Sequence, residues 1–255
     1  MSLIKNKQEI DILRHGGKIL ANVLETVRQA VKPGITTAKL NELAESLIYE
    51  AGGRPSFKGY GSKKNAYPAG LCTSVNEQLV HGIPSSYVLQ EGDIVGLDIG
   101  MQFPKNGGLF TDMAITVPVG TVDVEKQRLI KSTEKALALW IEHLKPGRNM
   151  NDISRKVQYY IESCGYGVVR DLVGHGVGHA VHEEPQVPNY AIPGFHFMLK
   201  EGMVLALEPM VTMGDYHIET QDDGWTVATV DGSLTSHCEH TVVITASGCE
   251  VLTNR

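Results

Sequence analysis

Three histidines and two glutamates are concentrated in residues 174–185, whose sequence is GHGVGHAVHEEP. Imidazole binds borderline metal ions and carries protons near neutral pH. His175 and His179 are four residues apart, as in a helical zinc site, but each of the interleaved glycines costs a helix about 0.8–1 kcal/mol relative to alanine. The zincin pattern H-E-x-x-H also fails, because Pro185 interrupts it and no histidine follows. The stretch therefore predicts a glycine-rich strand or loop that presents imidazoles, with a plain histidine-rich turn as the alternative.

Four acidic residues at the ends of apolar runs are candidates to meet these histidines. Asp98 and Glu208 each end such a run, and Asp112 and Glu239 each begin one. A buried carboxylate is costly unless it is paired or binds a metal. Four carboxylates and one imidazole can hold two divalent cations about 3.5–4 Å apart, with an activated hydroxide between them. The alternative is that each carboxylate ends a strand and accepts hydrogen bonds from backbone amides.

Hydrophobic periodicity predicts the elements that position these residues. Apolar residues recur every three or four positions over residues 10–31, and again after a cap at Thr36 or Thr37, so each segment predicts an amphipathic helix. The first is ended by Lys32-Pro33-Gly34 and the second by Gly52-Gly53. Further along, β-branched runs between glycines and prolines predict strands at residues 71–75, 94–99 and 113–117.

The pattern then repeats. A helix predicted over residues 123–144 is ended by Lys145-Pro146-Gly147, which lies 113 positions after the first Lys-Pro-Gly. Residues 201–208 resemble residues 91–98 at an offset of 110, and each stretch ends in a carboxylate. This indicates an internal duplication, roughly 10–120 and 123–250, within a single domain spanning 1–255. We expect an α+β fold of two pseudo-symmetric halves, in which two helix pairs cover a curved antiparallel sheet. Chance recurrence of these turns is the alternative.

Composition excludes several classes of function. The chain has 255 residues, 42% of them hydrophobic, and a formal net charge of −6, which argues against nucleic acid as the main partner. No apolar run approaches 18 residues, so we expect no membrane span, and the first residues lack a signal-peptide core. The four cysteines form no CxxC pair, which favours reduced thiols and a cytoplasmic protein.

Read together, the short motifs resemble the type I methionine aminopeptidases of the pita-bread fold, over essentially the whole chain. Each motif is weak alone, and their order makes the resemblance specific. The motifs are Ser74-Val75-Asn76-Glu77, His81-Gly82-Ile83-Pro84, Leu97-Asp98, Thr111-Asp112, Gly174-His175-Gly176-Val177-Gly178, His182-Glu183-Glu184-Pro185, Glu208-Pro209-Met210-Val211, Asp223-Gly224-Trp225-Thr226 and Glu239-His240-Thr241.

The resemblance implies a role for each matching position. The five implied metal ligands are Asp98, Asp112, His175, Glu208 and Glu239. Asp112 and Glu239 would bridge two metals, Asp98 would bind one of them, and His175 with Glu208 would bind the other. The implied catalytic residues are His81, which contacts the substrate backbone, His182, which steadies the oxyanion, and Glu208, which shuttles a proton. The implied substrate-binding residues are His81, His182, Tyr60, Tyr67, Cys72, Val181 and Trp225.

The activity implied by the resemblance is removal of an N-terminal methionine when the second residue is small, by metal-activated hydroxide. The cofactors would be two divalent metal ions, drawn from Co, Mn, Fe and Zn, among which the sequence does not choose. The partners would be nascent peptide N-termini, with the ribosome near its tunnel exit as a candidate contact. We expect neither a specific nucleic acid nor a membrane as partner, and a monomeric protein.

Three departures from the family pattern concern the substrate pocket and one hairpin. Six residues, Gly61 to Ala66, separate Tyr60 from Tyr67, where two or three are usual, and Val181 replaces an aromatic residue before His182. Both changes put the shape of the pocket in question, and Val181 predicts a wider one. The 13 residues between Asp98 and Asp112 exceed the usual connection and predict a longer hairpin around residues 104–108.

Two other functions deserve comparison. A pita-bread peptidase with another first-residue preference, such as an Xaa-Pro enzyme, usually carries a separate N-terminal domain, for which the helix beginning near Ile10 leaves no room. A pita-bread binding module tends to lose metal ligands, and all five matching positions are kept here.

Overall fold

The computed structural model describes residues 3–255, which form four α-helices and seventeen β-strands. The helices are α1 (Lys7–Ala30), α2 (Thr37–Glu50), α3 (Val124–His143) and α4 (Met150–Ser163). The strands of the first half are β1 (Arg54–Pro55), β2 (Gly61–Ser62), β3 (Asn65–Ala66), β4 (Leu71–Val75), β5 (Gln78–Val80), β6 (Ile94–Phe103) and β7 (Leu109–Pro118). Those of the second half are β8 (Gly167–Val168), β9 (Gly174–Gly176), β10 (Glu183–Val187), β11 (Val204–Leu207), β12 (Met210–Thr212), β13 (Ile218–Thr220), β14 (Val227–Thr229), β15 (Thr235–His237), β16 (Glu239–Ile244) and β17 (Cys249–Val251).

A nine-stranded sheet joins the two halves of the chain. Its order is β1-β6-β7-β16-β11-β9-β10, with β4 added on β6 and β17 added on β16. Every pair within it is antiparallel. The α+β class and the antiparallel sheet are therefore confirmed. Strand β16, from the end of the chain, lies between β7 of the first half and β11 of the second.

The predicted helices are confirmed to within three residues at each end. Asn6 caps α1 in a capping box with Glu9, and Thr36, one of the two predicted caps, accepts a hydrogen bond from the backbone of α2. Helices α1 and α3 both end just before their Lys-Pro-Gly segments, since proline does not continue a helix.

Each half has its own hydrophobic core beneath its helix pair. Leu20 and Leu24 of α1 and Ile48 of α2 are fully buried against Leu97 and Ile99 of β6. In the second half, a separate set of buried side chains plays the same part: Trp140, Leu137, Ile153, Val157, Leu205 and Val242. The N-cap residues of α2 and α4, Thr36 and Asn149, occupy equivalent places in the two halves. Each forms an isolated antiparallel β-bridge, Thr36 with Val88 and Asn149 with Met198. The two halves are thus pseudo-symmetric, as the repeat predicts.

Strands β6 and β7 form a longer hairpin than the apolar runs indicate. They pair continuously from Ile94 opposite Pro118 to Phe103 opposite Leu109, so the connection is confined to residues 104–108, as predicted. The prediction that Asp98 ends a strand and that Asp112 begins one is wrong, because both lie within this hairpin. Residues 100–103 continue the pairing. Gly100 and Gln102 interrupt the apolar run, so hydrophobicity alone does not predict this part of the strand. Glu208, directly after β11, and Glu239, at the start of β16, lie where they were predicted.

The segment before α1 is tied to the histidine-rich stretch by a buried ion pair. Lys5 Nζ lies 2.6 Å from Glu183 Oε2, and these side chains are 1% and 7% exposed. Glu183 also accepts from the backbone N–H of Ala180, and His179 Nε2 lies 2.7 Å from Glu9 of α1. The first turn of α1 therefore holds the loop that carries His182.

Replacing Lys5 with methionine should lower the free energy of unfolding by about 3 kcal/mol, because it leaves the Glu183 carboxylate buried without its cation. The control is Arg14→Met, which removes partly exposed ion pairs with Glu250 and Asp11 and should cost less than about 1 kcal/mol. Urea unfolding of both variants measures the difference. Equal losses would show that the Lys5 pair contributes no more than a surface pair.

No helix within residues 3–255 is both long enough and apolar enough to cross a membrane.

Candidate metal centre and adjoining cleft

Strand register places the five predicted ligands on one face of the central sheet. Ala114 of β7 pairs with Asp98 of β6 on one side and with Glu239 of β16 on the other. Asp112 lies on β7 itself, two residues from Ala114. Because side chains alternate between the faces of a strand, these three carboxylates point the same way. Glu208 continues β11 beyond Leu207, which pairs with His240, and His175 pairs with Ala206 of the same strand. The ligand set thus crosses five adjacent strands drawn from both halves, β6, β7, β16, β11 and β9.

His175 offers its Nε2 atom to the carboxylates. Its Nδ1 lies 2.9 Å from the carbonyl oxygen of Gly176, which only accepts, so the neutral ring carries its proton on Nδ1. Nε2 then faces Glu208 Oε1 at 3.4 Å and Asp112 Oδ2 at 3.7 Å. A backbone hydrogen bond of this kind fixes the tautomer that binds a metal.

The glycines beside His175 are required by close packing of β9 between its neighbours. A Cβ atom on Gly174 would lie 2.5 Å from the carbonyl oxygen of Ala206, and one on Gly176 would lie 2.1 Å from that of Glu184. Neither position accommodates a side chain without moving backbone. The prediction of a glycine-rich strand or loop is confirmed.

Neighbouring groups orient the carboxylates. The Thr241 hydroxyl accepts from the Asp112 N–H and donates to Asp112 Oδ1 at 2.9 Å. The backbone carbonyl of Glu208 accepts from Asn189, whose side-chain oxygen in turn accepts from the buried indole N–H of Trp140 in α3. Helix α3 therefore helps to place Glu208.

The carboxylates are poorly solvated and repel one another. Burial raises the pKa of Asp98 to about 7, with further increases from Glu208 and Asp112 and an opposing effect of His237. Burial likewise raises the pKa of Glu208 to about 8. The pKa of Asp112 is raised and that of Glu239 is raised well above its ordinary value, again mainly by burial. Such a cluster favours cations that offset its charge.

Two observations show that the donor set fits metal ions. One atom each of Asp112, His175 and Glu239 can be chosen so that all lie within 4.8 Å of one another. Asp98 Oδ1 is buried and has no hydrogen-bond partner among residues 3–255, as expected of an atom whose partner is a bound cation. Mainly oxygen donors with one imidazole suit divalent first-row metals.

A cleft of about 300 Å³ opens beside these carboxylates. It is lined by all five predicted ligands and by six predicted substrate-contacting residues: His81, His182, Tyr60, Tyr67, Cys72 and Trp225. The Tyr67 and Trp225 rings meet edge to face, with centroids 5.3 Å apart, beside the buried Cys72. Burial raises the pKa of the Cys72 thiol well above its usual value, so the thiol acts as an apolar wall.

Val181 is the predicted pocket residue that the structure places elsewhere. Its side chain is 7% exposed and is not among the described residues that line the cleft. The chain bends between His179 and His182; His182 lines the cleft, whereas Val181 is buried. The structure therefore does not place Val181 among the residues that line the cleft, and its effect on the width of the pocket stays a prediction.

His81 and His182 approach the cleft from opposite halves. His81 has a positive φ of 59°, unusual for a residue with a side chain, and burial lowers its pKa to about 4. The His182 ring lies 4.3 Å from that of His175, centroid to centroid. Loss of solvation within the cleft lowers the His182 pKa, and His175 and His81 lower it further. Both rings are neutral at pH 7 and act as hydrogen-bonding groups.

The sequence analysis assigned no role to Phe57, which lines the cleft, or to His237, which lies beside Glu208. Phe57 lines the cleft beside Tyr67, and nothing in its surroundings marks it in the sequence. His237 Nε2 is buried 3.6 Å from Glu208 Oε2 and has no hydrogen-bond partner among residues 3–255. Its position two residues before Glu239 is a usable signal, because alternate residues of an extended chain share a face.

Comparisons with known proteins identify relatives of the chain in both sequence and fold. Residues 11–246 match the model of metallopeptidase family M24. The chain is 48% identical to a methionine aminopeptidase of Clostridium perfringens over 254 residues, which cover 99% of both proteins. The crystal structure of a methionine aminopeptidase from Thermotoga maritima superposes with a TM-score of 0.93 at 42% identity and covers 99% of both chains. A prolidase from Pyrococcus horikoshii, 23% identical, shares the fold with a TM-score of 0.79, and the match spans 99% of this chain but 63% of the prolidase.

Proposed function

The chain belongs to metallopeptidase family M24 and, within it, to the methionine aminopeptidases, and on that premise we propose that it releases N-terminal methionine from peptides whose second residue is small. The resemblance found in the sequence and the pita-bread fold are confirmed. The observation that carries the proposal is the set of five donors on one face of the sheet beside an apolar cleft.

Divalent metal is the cofactor, and we propose two ions held by the five ligands. Asp112 and Glu239 extend from neighbouring central strands and would be shared, while Asp98 would serve one ion and His175 with Glu208 the other. Ions bound there would lower the pKa of a water molecule and polarise the scissile carbonyl.

The remaining groups bind and orient the substrate. The edge-to-face rings of Tyr67 and Trp225, with Phe57 and Cys72, form an apolar wall for the methionine side chain. Sulfur–aromatic contacts of this kind contribute roughly 0.3–1.5 kcal/mol. His81 would hydrogen-bond the peptide backbone beyond the scissile bond, and His182 would donate to the carbonyl oxygen as it gains negative charge. Glu208 would carry a proton to the departing amine.

A comparison of peptides tests the assignment. Met-Ala-Ser should be cleaved after methionine, Met-Lys-Ser hardly at all, and Pro-Ala-Ser and Leu-Ala-Ser much more slowly than Met-Ala-Ser. The measurement is kcat/KM for each peptide with protein reconstituted with Mn(II), Fe(II) or Co(II). Faster release of proline or leucine than of methionine would overturn the proposal. Contact with the ribosome and a cytoplasmic location stay predictions.

Added divalent metal should stabilise the metal-free protein, because it offsets the repulsion among buried carboxylates. At a free Mn(II) concentration 100 times its dissociation constant, the gain is about 2.7 kcal/mol. For a chain of this size that raises Tm by about 5–10 °C. Differential scanning calorimetry after chelator treatment, with and without Mn(II) at constant ionic strength, measures the shift. An unchanged Tm would contradict metal binding by the folded state.

A further inference from the structure

Tyr60 is joined to His182 by a direct hydrogen bond across the mouth of the cleft. The Tyr60 hydroxyl oxygen lies 2.7 Å from His182 Nδ1, and the two rings meet edge to face with centroids 5.1 Å apart. Tyr60 is 40% exposed, whereas Tyr67 is buried and Trp225 is partly buried. Its ring therefore adds little to the apolar pocket, and its hydroxyl is the group in a position to act.

The inserted residues 61–66 hold that hydroxyl in place. They form the small hairpin β2–β3, whose ends are closed by a hydrogen bond of 2.8 Å from the Tyr67 N–H to the Tyr60 carbonyl. The Tyr60 N–H also donates to the carbonyl of Phe57. The hairpin is also attached to the segment that carries Trp225, because Asn65 Nδ2 donates to the carbonyl of the adjacent Gly224. Tyr60 thus projects from a closed loop that is attached at both ends.

The relative acidity of the two groups sets the direction of the hydrogen bond. A phenol has a pKa near 10, whereas a neutral imidazole N–H is a far weaker acid, so the phenol is the preferred donor. The distance of 2.7 Å is typical of a hydroxyl donor. When Nδ1 accepts, a neutral imidazole must carry its proton on Nε2.

We propose that Tyr60 is a positioning residue: its hydroxyl donates to Nδ1 of His182 and keeps the proton of that ring on Nε2, as the donor to the substrate oxyanion. The inserted hairpin is the device that delivers the hydroxyl. This inference rests on the proposed function for the role of Nε2, whereas the hydrogen bond and the tautomer are properties of the free protein.

Nitrogen NMR of the metal-free protein tests the tautomer independently of activity. Protein labelled with ¹⁵N-histidine is compared at pH 7.5 as wild type, Tyr60→Phe and Tyr87→Phe, and His182→Gln assigns the His182 signals. Tyr87→Phe is the matched control, since it removes a tyrosine hydroxyl that donates to Asp93. We expect a single Nε2–H tautomer with a hydrogen-bonded Nδ1 in wild type and in Tyr87→Phe. In Tyr60→Phe, the Nδ1 signal should move towards that of an unbonded nitrogen, with a mixture of tautomers.

Kinetics then show whether the bond matters for the reaction. Tyr60→Phe keeps the ring and should lower kcat for Met-Ala-Ser roughly tenfold, the effect expected of one lost hydrogen bond, while KM and the preference for methionine over norleucine stay unchanged. A wild-type His182 protonated on Nδ1, or identical His182 signals in wild type and Tyr60→Phe, would overturn the proposal. An effect confined to KM would also overturn it, because it would make Tyr60 a wall of the pocket. If no variant hydrolyses any peptide, the proposed function fails, and the NMR result still decides the hydrogen bond.

Discussion

Replacing Asp112 with asparagine is expected to lower kcat/KM for Met-Ala-Ser by at least about 10³-fold, because the side chain at the centre of the donor set loses its charge. Each tenfold loss corresponds to about 1.4 kcal/mol of barrier, and removing a shared metal ligand costs several kcal/mol of charge stabilisation. Asparagine keeps the size of the side chain and an oxygen that can accept from Thr241, so the strand should stay folded.

Two further measurements separate loss of metal from loss of fold. Elemental analysis of Asp112→Asn should find at least one metal ion missing. The metal-free variant should be more stable than metal-free wild type, because burial raises the pKa of Asp112 and its ionised form opposes folding at neutral pH. Asp171→Asn removes an exposed charge at the edge of the cleft and should change kcat/KM by less than tenfold. Retained hydrolysis by Asp112→Asn with two bound metals would exclude Asp112 as a ligand.

The second large effect concerns His182. His182→Ala should lower kcat by about 10²–10³-fold, the usual cost of one oxyanion donor, and should keep its metal content. The neighbouring ring of His175, at 4.3 Å, retains its own hydrogen bond to Gly176 and does not depend on His182. Single-turnover kinetics and metal analysis on one preparation make the comparison. Loss of metal from His182→Ala would instead identify His182 as a ligand.

The sequence predicts well those features that depend on local patterns. Helix α1 follows from apolar spacing and its Lys-Pro-Gly stop, and β4 was predicted at its observed bounds, because these signals act within a few residues. The five proposed metal ligands were identified from the order of short motifs, which indicates the family. Only the strand register of the structure shows that these side chains share one face of the sheet. Asp98 and Asp112 show the difference, since hydrophobicity placed them at strand ends and the pairing of β6 with β7 places them inside a hairpin.

What the sequence does not predict depends on contacts between distant segments. Val181 precedes His182 directly, yet one bend in the chain buries it away from the cleft. Phe57 lines the cleft because it packs against Tyr67 and Cys72, and the hydrogen bond of Tyr60 to His182 joins residues 122 positions apart. The buried Nε2 of His237 lies 3.6 Å from Glu208 Oε2, a contact between residues 29 positions apart in the chain.

Because β16 lies between β7 and β11, the nine-stranded sheet is incomplete for most of the time that the chain is being synthesised on the ribosome. Until residues 239–244 have emerged, β7 presents an open edge that already carries Asp112, and open edges invite wrong pairing with other chains. The pairing of β16 with β7 closes that edge and brings Glu239 to Asp112 in the same event. The two residues are more than a hundred positions apart in the chain, and contacts between such distant residues slow folding. Closure of the exposed β7 edge and assembly of the proposed ligand set are therefore one step, and a chain that lacks residues 239–244 has neither.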